Sequence, residues 1–207
     1  MKIITAYFHI EDDIDGDKIL KKLENWARNC YKSEEKITEE SAKKFIKARL
    51  QSTDPHEGIV EHEKVTVRFV CDRGVSHEVV RHRIGSYLQE STRWCNYKSD
   101  GIVVIEPIFF LGNEKRYKIW LDTMLYCEKA YIELIEDGAK PEEARTVLPN
   151  SLKTEIIITY NLSSWRNFFR KRCSKRAHPQ MRELSIPLLK EFQRLIPIIF
   201  DDIKYEE

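Results

Sequence analysis

Residues 64–69 of this chain, which read K-V-T-V-R-F, alternate strictly between polar and apolar side chains. Successive side chains of a strand point to opposite faces of a sheet, so this alternation predicts a half-buried strand. Residues 1–10, 102–105 and 156–160 are also predicted to be strands, because they alternate or are rich in β-branched side chains. The chain is therefore expected to build a β-sheet.

Helical periodicity is clearest over residues 115–137, where one apolar stripe ends in a stop at Gly138. The stripe indicates a helix packed on a core. Other helices are predicted at 17–31, at 38–50, at 75–91 with Ser76 as N-cap, in a short segment that starts with Pro141, at 162–173 with Asn161 as cap, and at 181–204 with a break or kink at Pro187 and Pro197.

These elements predict an α/β (α+β) fold in which an antiparallel or mixed sheet is flanked by helices. No G-x-G-x-x-G sequence follows a predicted strand, so a Rossmann unit is not expected. A chain of 207 residues can bury one sizeable core, and it has no internal repeat or linker. We predict a single domain over residues 1–207.

The charge of the chain is balanced, since 35 lysines and arginines face 34 aspartates and glutamates for a net charge of +1. Such a chain is not suited to coating nucleic acid through bulk electrostatics. An anionic ligand must therefore be met by locally placed arginines.

The five cysteines are widely spaced and form no C-x-x-C pair, which favours a reducing compartment. The N-terminus lacks the basic and apolar regions of a signal peptide, and no segment approaches about 18 consecutive apolar residues. A soluble cytoplasmic protein without a membrane segment is expected.

The segment Arg81-His82-Arg83 is followed after seven residues by Ser91, and Arg93 comes two positions later. Guanidinium groups bind phosphates through paired hydrogen bonds and stack on flat rings, so the segment could hold a nucleotide. On composition alone, the more frequent explanation is a solvated helix face whose arginines pair with acids.

The motif R-H-R-x7-S resembles the signature of flavin-dependent thymidylate synthases, and it is unbroken here from Arg81 to Ser91. Three further blocks occur in the order of that family. Residues 56–62 resemble its H-E-S-x-x-E-H block, residues 143–149 its A-R-x-x-L-P block, and residues 161–172 its N-x-R-x-W-x-x-F helix, which ends in the catalytic arginine. The resemblance covers residues 56–185.

The resemblance implies a methyltransferase of that family's fold that converts dUMP to dTMP without a cysteine nucleophile. Methylenetetrahydrofolate would supply the carbon, FADH2 the hydride, and NADPH would regenerate the FADH2. The flavin carries the difficult chemistry, and the protein supplies orientation and electrostatics. The resemblance also implies a homotetramer whose active sites are shared between subunits.

Arg172 matches the family's catalytic arginine, which is expected to bind the pyrimidine and to stabilise the negative charge that develops on it. The other matches to dUMP-binding positions are Glu78, Val79, Val80, Arg81, Gln89, Glu90, Ser91, Thr92, Arg93 and Arg145. Arginines there would pair with the phosphate, and the turn near Ser91 would offer backbone N–H groups. Ser91 is interpreted as a binding residue, because no base is evidently placed to activate it.

A second set of positions matches the family's FAD contacts. At these positions, cations would bind the pyrophosphate, and polar side chains would form hydrogen bonds with the isoalloxazine edge. These residues are His56, Gly58, Arg81, His82, Arg83, Gln89, Asn161, Ser163 and Asn167. For Asn161, capping of the following helix is an equally good explanation.

Four residues depart from the family pattern: Gly58 replaces a serine, Gln89 a glutamate of some members, Trp94 a frequent tyrosine, and Ser163 the arginine of N-x-R. An arginine near flavin N1 and O2 would stabilise the anionic reduced flavin, whereas a serine offers a hydrogen bond without charge. Flavin affinity or reduction rate is therefore expected to be affected more than the fold.

No metal site is expected, because His56 and His62 are six positions apart, whereas the zinc motif H-E-x-x-H places two histidines on one helix face at a spacing of four. Cys95 is interpreted as a structural residue, since no basic partner is recognisable.

Two alternative functions remain open. The first is a nucleic-acid-binding protein that uses residues 170–172, Lys175, Arg176 and the helix around Arg81 as phosphate contacts. The second is a family member that binds nucleotide and flavin but turns over slowly because of Ser163.

Overall fold

The computed structural model of the chain describes residues 1–205. Within this range the strands are β1 (Lys2–Ile4), β2 (Tyr7–Ile10), β3 (Lys64–Asp72), β4 (Gly85–Gln89), β5 (Val103–Ile105) and β6 (Lys153–Asn161). The α-helices are α1 (Gly16–Asn29), α2 (Ser41–Leu50), α3 (Arg73–Val79), α4 (Glu114–Glu136), α5 (Pro141–Ala144), α6 (Leu162–Arg172) and α7 (Pro179–Leu195). Short 3-10 helices span Glu34–Lys36, Glu57–His62, Ile108–Phe110 and Arg145–Val147.

The strands form a two-stranded sheet, β1-β5, and a four-stranded sheet in the order β2-β3-β6-β4. The pair β1-β5 is parallel. In the larger sheet β4 and β6 run antiparallel, since Gly85 lies against Tyr160 whereas Glu90, just beyond β4, bonds Glu155. The strand pairs are therefore mixed in direction, and the predicted α/β class with an antiparallel or mixed sheet flanked by helices is confirmed.

Two helices, α4 and α6, begin at asparagine side-chain caps, and the sequence predicts the second of these caps, Asn161. Asn113 accepts a hydrogen bond from the Arg116 amide at 3.0 Å and starts α4. Asn161 accepts one from the Ser164 amide at 2.7 Å and starts α6. A side-chain oxygen at the N-cap satisfies an amide that has no partner within the helix, so both starts are set locally.

The prediction of one helix over 75–91 is wrong beyond Val79. Asp72, rather than Ser76, caps α3 by accepting from the Val75 amide at 2.8 Å. The chain then turns, and residues 85–89 form β4. Pairing with β6 outweighs the helical pattern here, because sheet hydrogen bonds to a distant strand are invisible to local periodicity. The R-H-R-x7-S motif consequently lies on a turn and a strand.

The last predicted helix, 181–204, is shorter than expected at its C-terminal end. Helix α7 starts at Pro179, continues through Pro187 and ends at Leu195. Ile196 leaves the helical region with φ −128° and ψ 69°. It precedes Pro197, and a proline disfavours helical geometry in the residue before it.

The described chain divides into two compact units, the first of which comprises Met1–His9, Arg68–Arg81 and Tyr87–Ile157. Its core includes Ile102, Val104, Trp120, Met124 and Leu152. Trp120 and Met124 come from the apolar stripe of α4, so the stripe packs as the sequence predicts.

The second unit comprises Ile10–Val67, His82–Ser86 and the chain from Ile158 onward. Fully buried aromatic side chains dominate its core: Trp165, Phe168, Phe169, Phe192 and Phe200. The Trp165 indole donates to the Val65 carbonyl at 2.9 Å. Burying such rings contributes a large share of the packing energy, and it fixes α6 along its length. The single domain over 1–207 stays a prediction, and its last two residues lie outside the described range.

Within residues 1–205, no helix combines the length and the hydropathy that crossing a bilayer requires.

Candidate active site

The second unit brings two distant signature residues into contact. Arg172, the last residue of α6, donates from Nε to Nε2 of His82 at 2.8 Å, although the two are 90 positions apart. The Ser185 hydroxyl donates to the Arg172 carbonyl at 2.9 Å. Both the side chain and the backbone of Arg172 are therefore held from within this unit.

His82 is only 7% exposed, and its ring meets Phe168 edge-on with centroids 5.1 Å apart. Burial, together with the positive charges of Arg172 and Lys171, lowers the pKa of His82 to about 4. The imidazole is neutral at physiological pH. Since Nε2 accepts from Arg172, the proton of the neutral ring resides on Nδ1.

The turn after His82 is attached to α6 at the opposite end of the helix. Ile84 adopts a left-handed φ of 66°, which is rare for a β-branched residue. The Ser164 hydroxyl donates to the Ile84 carbonyl at 3.1 Å. Gly85 lies so close to the Tyr160 ring that an added Cβ would overlap it. The turn 82–85 is thus shaped by α6 and by the strand before it.

Glu57, the acid of the H-E-G block, pairs with two arginines of α6. Its carboxylate accepts from Arg170 at 2.8 Å and from Arg166 at 3.3 Å. Arg166 is 1% exposed and also binds both oxygens of Asp202, at 2.7 and 2.8 Å. Burial raises the pKa of Glu57, but Arg170 and Arg166 outweigh this effect and hold the pKa below its usual value.

An open cavity of ≈ 370 Å³ lies between α1 and the 3-10 helix that carries the H-E-G block. Trp26, His56, Gly58 and His62 contribute to its lining. The Tyr31 hydroxyl and His56 Nδ1 are 3.0 Å apart, and the two rings stack. Gly58 has open space where a side chain would begin, so the serine that it replaces would also fit.

The other residues matched to FAD contacts in this unit differ in their surroundings. Asn161 uses its side-chain oxygen to cap α6. Ser163 is half-buried in the first turn of α6, whereas Arg83 and Asn167 are exposed. Arg83 makes no ion pair with any residue of the described range 1–205. The capping role of Asn161 is therefore observed, and a flavin contact for it stays a prediction.

In the first unit, the segment after β4 forms a tight turn at Ser91. The amides of Trp94 and Cys95 donate to the Ser91 carbonyl, and the Arg93 amide donates to its hydroxyl at 3.3 Å. The Arg93 guanidinium pairs with Glu142 at 3.1 Å on the surface. Arg145 is exposed and donates to Thr92 Oγ1 at 3.5 Å.

Gln89 and Glu90 are engaged inside this first unit. The Gln89 amide donates to Ser76 Oγ at 2.9 Å and to Thr154 Oγ1 at 3.2 Å. Glu90 pairs with Lys153 at 2.9 Å and accepts from the Tyr97 hydroxyl at 2.9 Å. These contacts support β4 against neighbouring chain segments of the unit.

The remaining residues of the first unit that match the family's dUMP-binding positions lie at the end of α3. Val79 is buried, Glu78 is half-buried, and Val80 and Arg81 are exposed. Arg81, like Arg145, forms no ion pair within the described part of the chain. Each is therefore a cation that no acid of residues 1–205 neutralises.

The sequence profile of the thymidylate synthase complementing proteins matches residues 15–198. The chain is 35% identical over 183 residues to the flavin-dependent thymidylate synthase of Geobacter sulfurreducens, covering 85% of this chain and 78% of that protein. It is 32% identical over 172 residues to the enzyme of the same name from Pyrococcus furiosus, covering 82% and 70%. The chain belongs to the flavin-dependent thymidylate synthase family.

A solved structure shares the fold of this family member. It is the UMP/dUMP methylase PolB from Streptomyces cacaoi, crystallised with 5-Br dUMP, which superposes with a TM-score of 0.79 at 19% identity and covers 97% of this chain and 96% of that one. The likeness extends over nearly the whole chain and supports the fold assignment.

Several residues that hold the candidate site residues in place cannot be found from the signature alone. Lys153 and Tyr97 hold Glu90, Ser164 holds the turn at Ile84, and Asp202 neutralises Arg166. The only signal in the sequence was the polar character of these positions, because their partners lie far away along the chain.

Proposed function

We propose that this chain is a flavin-dependent thymidylate synthase that methylates C5 of dUMP to give dTMP. The observation that carries the proposal is the 2.8 Å hydrogen bond between Arg172 and His82. It joins the R-H-R signature to the helix that ends in the family's catalytic arginine. Family membership supplies the reaction class, and this contact supports retention of the site in this chain.

Arg172 is the residue that we assign to the pyrimidine of dUMP. Its guanidinium is permanently charged and planar, so it can stack on or bond to a flat ring. A positive group fixed beside the uracil stabilises the negative charge that develops there during the reaction, and a prearranged group does so without a reorganisation cost.

The phosphate of dUMP is assigned to the cations of the first unit. Arg81 and Arg145 are exposed and carry no ion pair within residues 1–205, and Arg93 follows the Ser91 turn. Arginine binds a phosphate dianion through two parallel hydrogen bonds. Glu78, Val79, Val80, Gln89, Glu90 and Thr92 are proposed to shape this region, and the engaged side chains of Gln89 and Glu90 would act by holding β4.

FAD suits the donor set of the second unit. The cavity beside His56 and Gly58 combines imidazole and indole rings with apolar side chains, which is the lining that a flat heterocycle requires, and its ≈ 370 Å³ lies within the usual range of small-molecule sites. Arg83 and Asn167 are exposed donors, and Ser163 offers a hydroxyl. When bound, FAD supplies the hydride, and NADPH and methylenetetrahydrofolate act as co-substrates. The residues of this chain hold and orient these ligands.

The assembly proposed here is a homotetramer with active sites shared between subunits. Each chain would contribute Arg172 to one site and its Ser91–Arg93 turn to another. This arrangement follows from the family resemblance.

The decisive experiment combines a visible spectrum with a turnover assay. The purified protein should show flavin absorption that is released on denaturation and identified as FAD. With NADPH and methylenetetrahydrofolate, it should release tritium from dUMP labelled at C5. A colourless protein that shifts DNA would instead support the nucleic-acid-binding alternative. A yellow protein that binds dUMP without turnover would support the slow family member.

Arg172→Ala should abolish tritium release while leaving most of the bound FAD. The matched control is Arg176→Ala, an exposed arginine on the turn after α6. Turnover that is equal in the two variants would refute the role assigned to Arg172.

A further inference from the structure

The hydrogen bond between Arg172 and His82 constrains the plane of the guanidinium. Because the group is planar and conjugated, fixing the direction of the Nε–H bond also fixes the plane in which the two terminal nitrogens lie. At 2.8 Å from Nε to Nε2, the bond is short and charge-assisted. His82 can therefore set the orientation of Arg172.

The His82 ring can do so because it is itself immobilised. It is 7% exposed, lies edge-on to Phe168 and has Tyr160 at a centroid distance of 6.4 Å. Phe168 belongs to the buried aromatic face of α6, so the His82 ring packs against the same helix that ends in its donor, Arg172. The backbone beyond His82 is fixed separately, by Ser164 at Ile84.

The chemistry of the acceptor fits the same role. A ring nitrogen accepts from a guanidinium only when it carries a lone pair, which requires a neutral imidazole. The low pKa of His82, which burial and the charges of Arg172 and Lys171 produce, keeps the ring neutral throughout the physiological range.

We propose that His82 is a positioning residue for Arg172, and that its Nε2 orients the guanidinium toward the pyrimidine. This inference rests on the proposed function of Arg172. It gives the central residue of the R-H-R motif a role different from the one that the family resemblance implies for it.

The test compares two substitutions with opposite chemistry. His82→Phe keeps a flat ring but removes the acceptor, whereas His82→Gln provides an amide oxygen near the position of Nε2. We expect His82→Phe to retain FAD and to lower kcat roughly 10- to 100-fold, the worth of a lost hydrogen bond to a charged group. His82→Gln should recover part of that loss. The control is His9→Phe, which replaces an exposed histidine of β2.

Loss of FAD from both variants would overturn the proposal in favour of a flavin contact. A double-mutant cycle on dUMP affinity separates positioning from an independent effect. In the Arg172→Ala background, His82→Phe should cause no further loss of dUMP affinity, because the group that His82 orients is absent. Full additivity of the two losses would also overturn the proposal.

The hydrogen bond can be examined without any substrate, so its failure is distinguishable from failure of the proposed function. Nitrogen-15 spectra of the ligand-free protein should show one buried histidine with its proton on Nδ1, and this signal should shift in Arg172→Ala. A protein that lacks turnover but shows this signal refutes the proposed enzyme and not the contact. A protein that turns over but has the Nε2–H tautomer refutes the positioning role.

Discussion

Arg166 and Asp202 form a two-pronged ion pair, with Nη1–Oδ1 at 2.7 Å and Nη2–Oδ2 at 2.8 Å. The guanidinium also donates to the Ile199 carbonyl and to Glu57. Its donors are thus used within the second unit, where they join α6 to the chain after α7. Arg166 is therefore committed to structure, and it is a poor substitute for the flavin-facing arginine that Ser163 replaces.

The first prediction concerns the stability that this pair provides. Asp202→Asn should destabilise the protein by about 1–3 kcal/mol, because a buried guanidinium loses a charged acceptor and, among residues 1–205, keeps only Glu57 as an acidic partner. Urea unfolding followed by circular dichroism measures the change. The control is Asp13→Asn at an exposed position. Equal unfolding midpoints for the two variants would show that the pair contributes nothing.

The ion pair between Arg166 and Asp202 also predicts that the stability of the folded protein depends on pH. Burial raises the pKa of Asp202, but the hydrogen bond and charge of Arg166 outweigh it and leave the pKa lowered. A carboxyl with a lowered pKa stabilises the folded state above its unfolded pKa of about 3.9, and this contribution is lost as the pH falls below that value. The effect of Asp202→Asn should therefore shrink near pH 3.

His82 predicts a separate acid effect at higher pH. Its pKa is about 4 in the folded protein, against about 6.5 in an unfolded chain. Between these values the unfolded chain binds more protons, so stability falls as the pH drops from 6.5 toward 4. His82→Gln should flatten this part of the curve, as measured by urea midpoints at pH 7 and pH 5. A slope identical to that of the parent would contradict the burial of a neutral imidazole.

Comparison of the predictions with the structure shows what a local pattern can decide. Asn161 was identified as a cap from its position before an apolar helix, and its side chain does bond the Ser164 amide. The end of α3 was missed because pairing of β4 with β6 depends on residues about 70 positions away, as the bond from the Glu90 amide to Glu155 illustrates. Periodicity carries no information about such partners.

The candidate site shows the same limit. The family signature pointed to His82 and Arg172 individually, but the hydrogen bond between them spans 90 positions and emerges only from the fold. The ion pair between Glu57 and Arg166 could not be predicted for the same reason. The sequence does not show whether an acid and a base in separate blocks bind a ligand or bind each other.

The proposed flavin contact of Ser163 predicts the effect of restoring the family arginine. Ser163 is half-buried in the first turn of α6, and Arg166 is already bound to Asp202. Ser163→Arg should therefore add a positive charge at the position proposed to contact the flavin, and this charge should raise the reduction potential of the flavin or tighten its binding. Ser163→Met is the matched control, because it adds a long side chain without charge. The potential, measured by dye equilibration, should change only in the arginine variant, and an identical change in both variants would exclude an electrostatic effect.

Substitution of Gly85 tests how tightly the turn 82–85 of the signature is packed. An added Cβ would overlap the Tyr160 ring, so Gly85→Ala should cost about 1–3 kcal/mol through forced displacement. Gly58 has open space around an added Cβ and no left-handed φ, so Gly58→Ala separates steric overlap from the general cost of replacing a glycine. Thermal unfolding of the two variants provides the measurement. If Gly85→Ala costs as much stability in a Tyr160→Leu background as in the parent, the overlap is not the cause.

The last prediction concerns the shared site of the proposed homotetramer. Arg172 ends α6 in the second unit, and Arg93 follows the Ser91 turn in the first, where it pairs with Glu142. We expect Arg172→Ala and Arg93→Ala each to be inactive alone. Unfolding, mixing and reassembling the two variants yields hybrid tetramers.

If the two arginines reach one site from different chains, some hybrid sites contain both intact residues and others contain both defects, so activity should partly return. If both arginines of a site come from the same chain, every site keeps one lesion and mixing restores nothing. Native mass spectrometry establishes that hybrids have formed, and inactive hybrids would then reject the shared site.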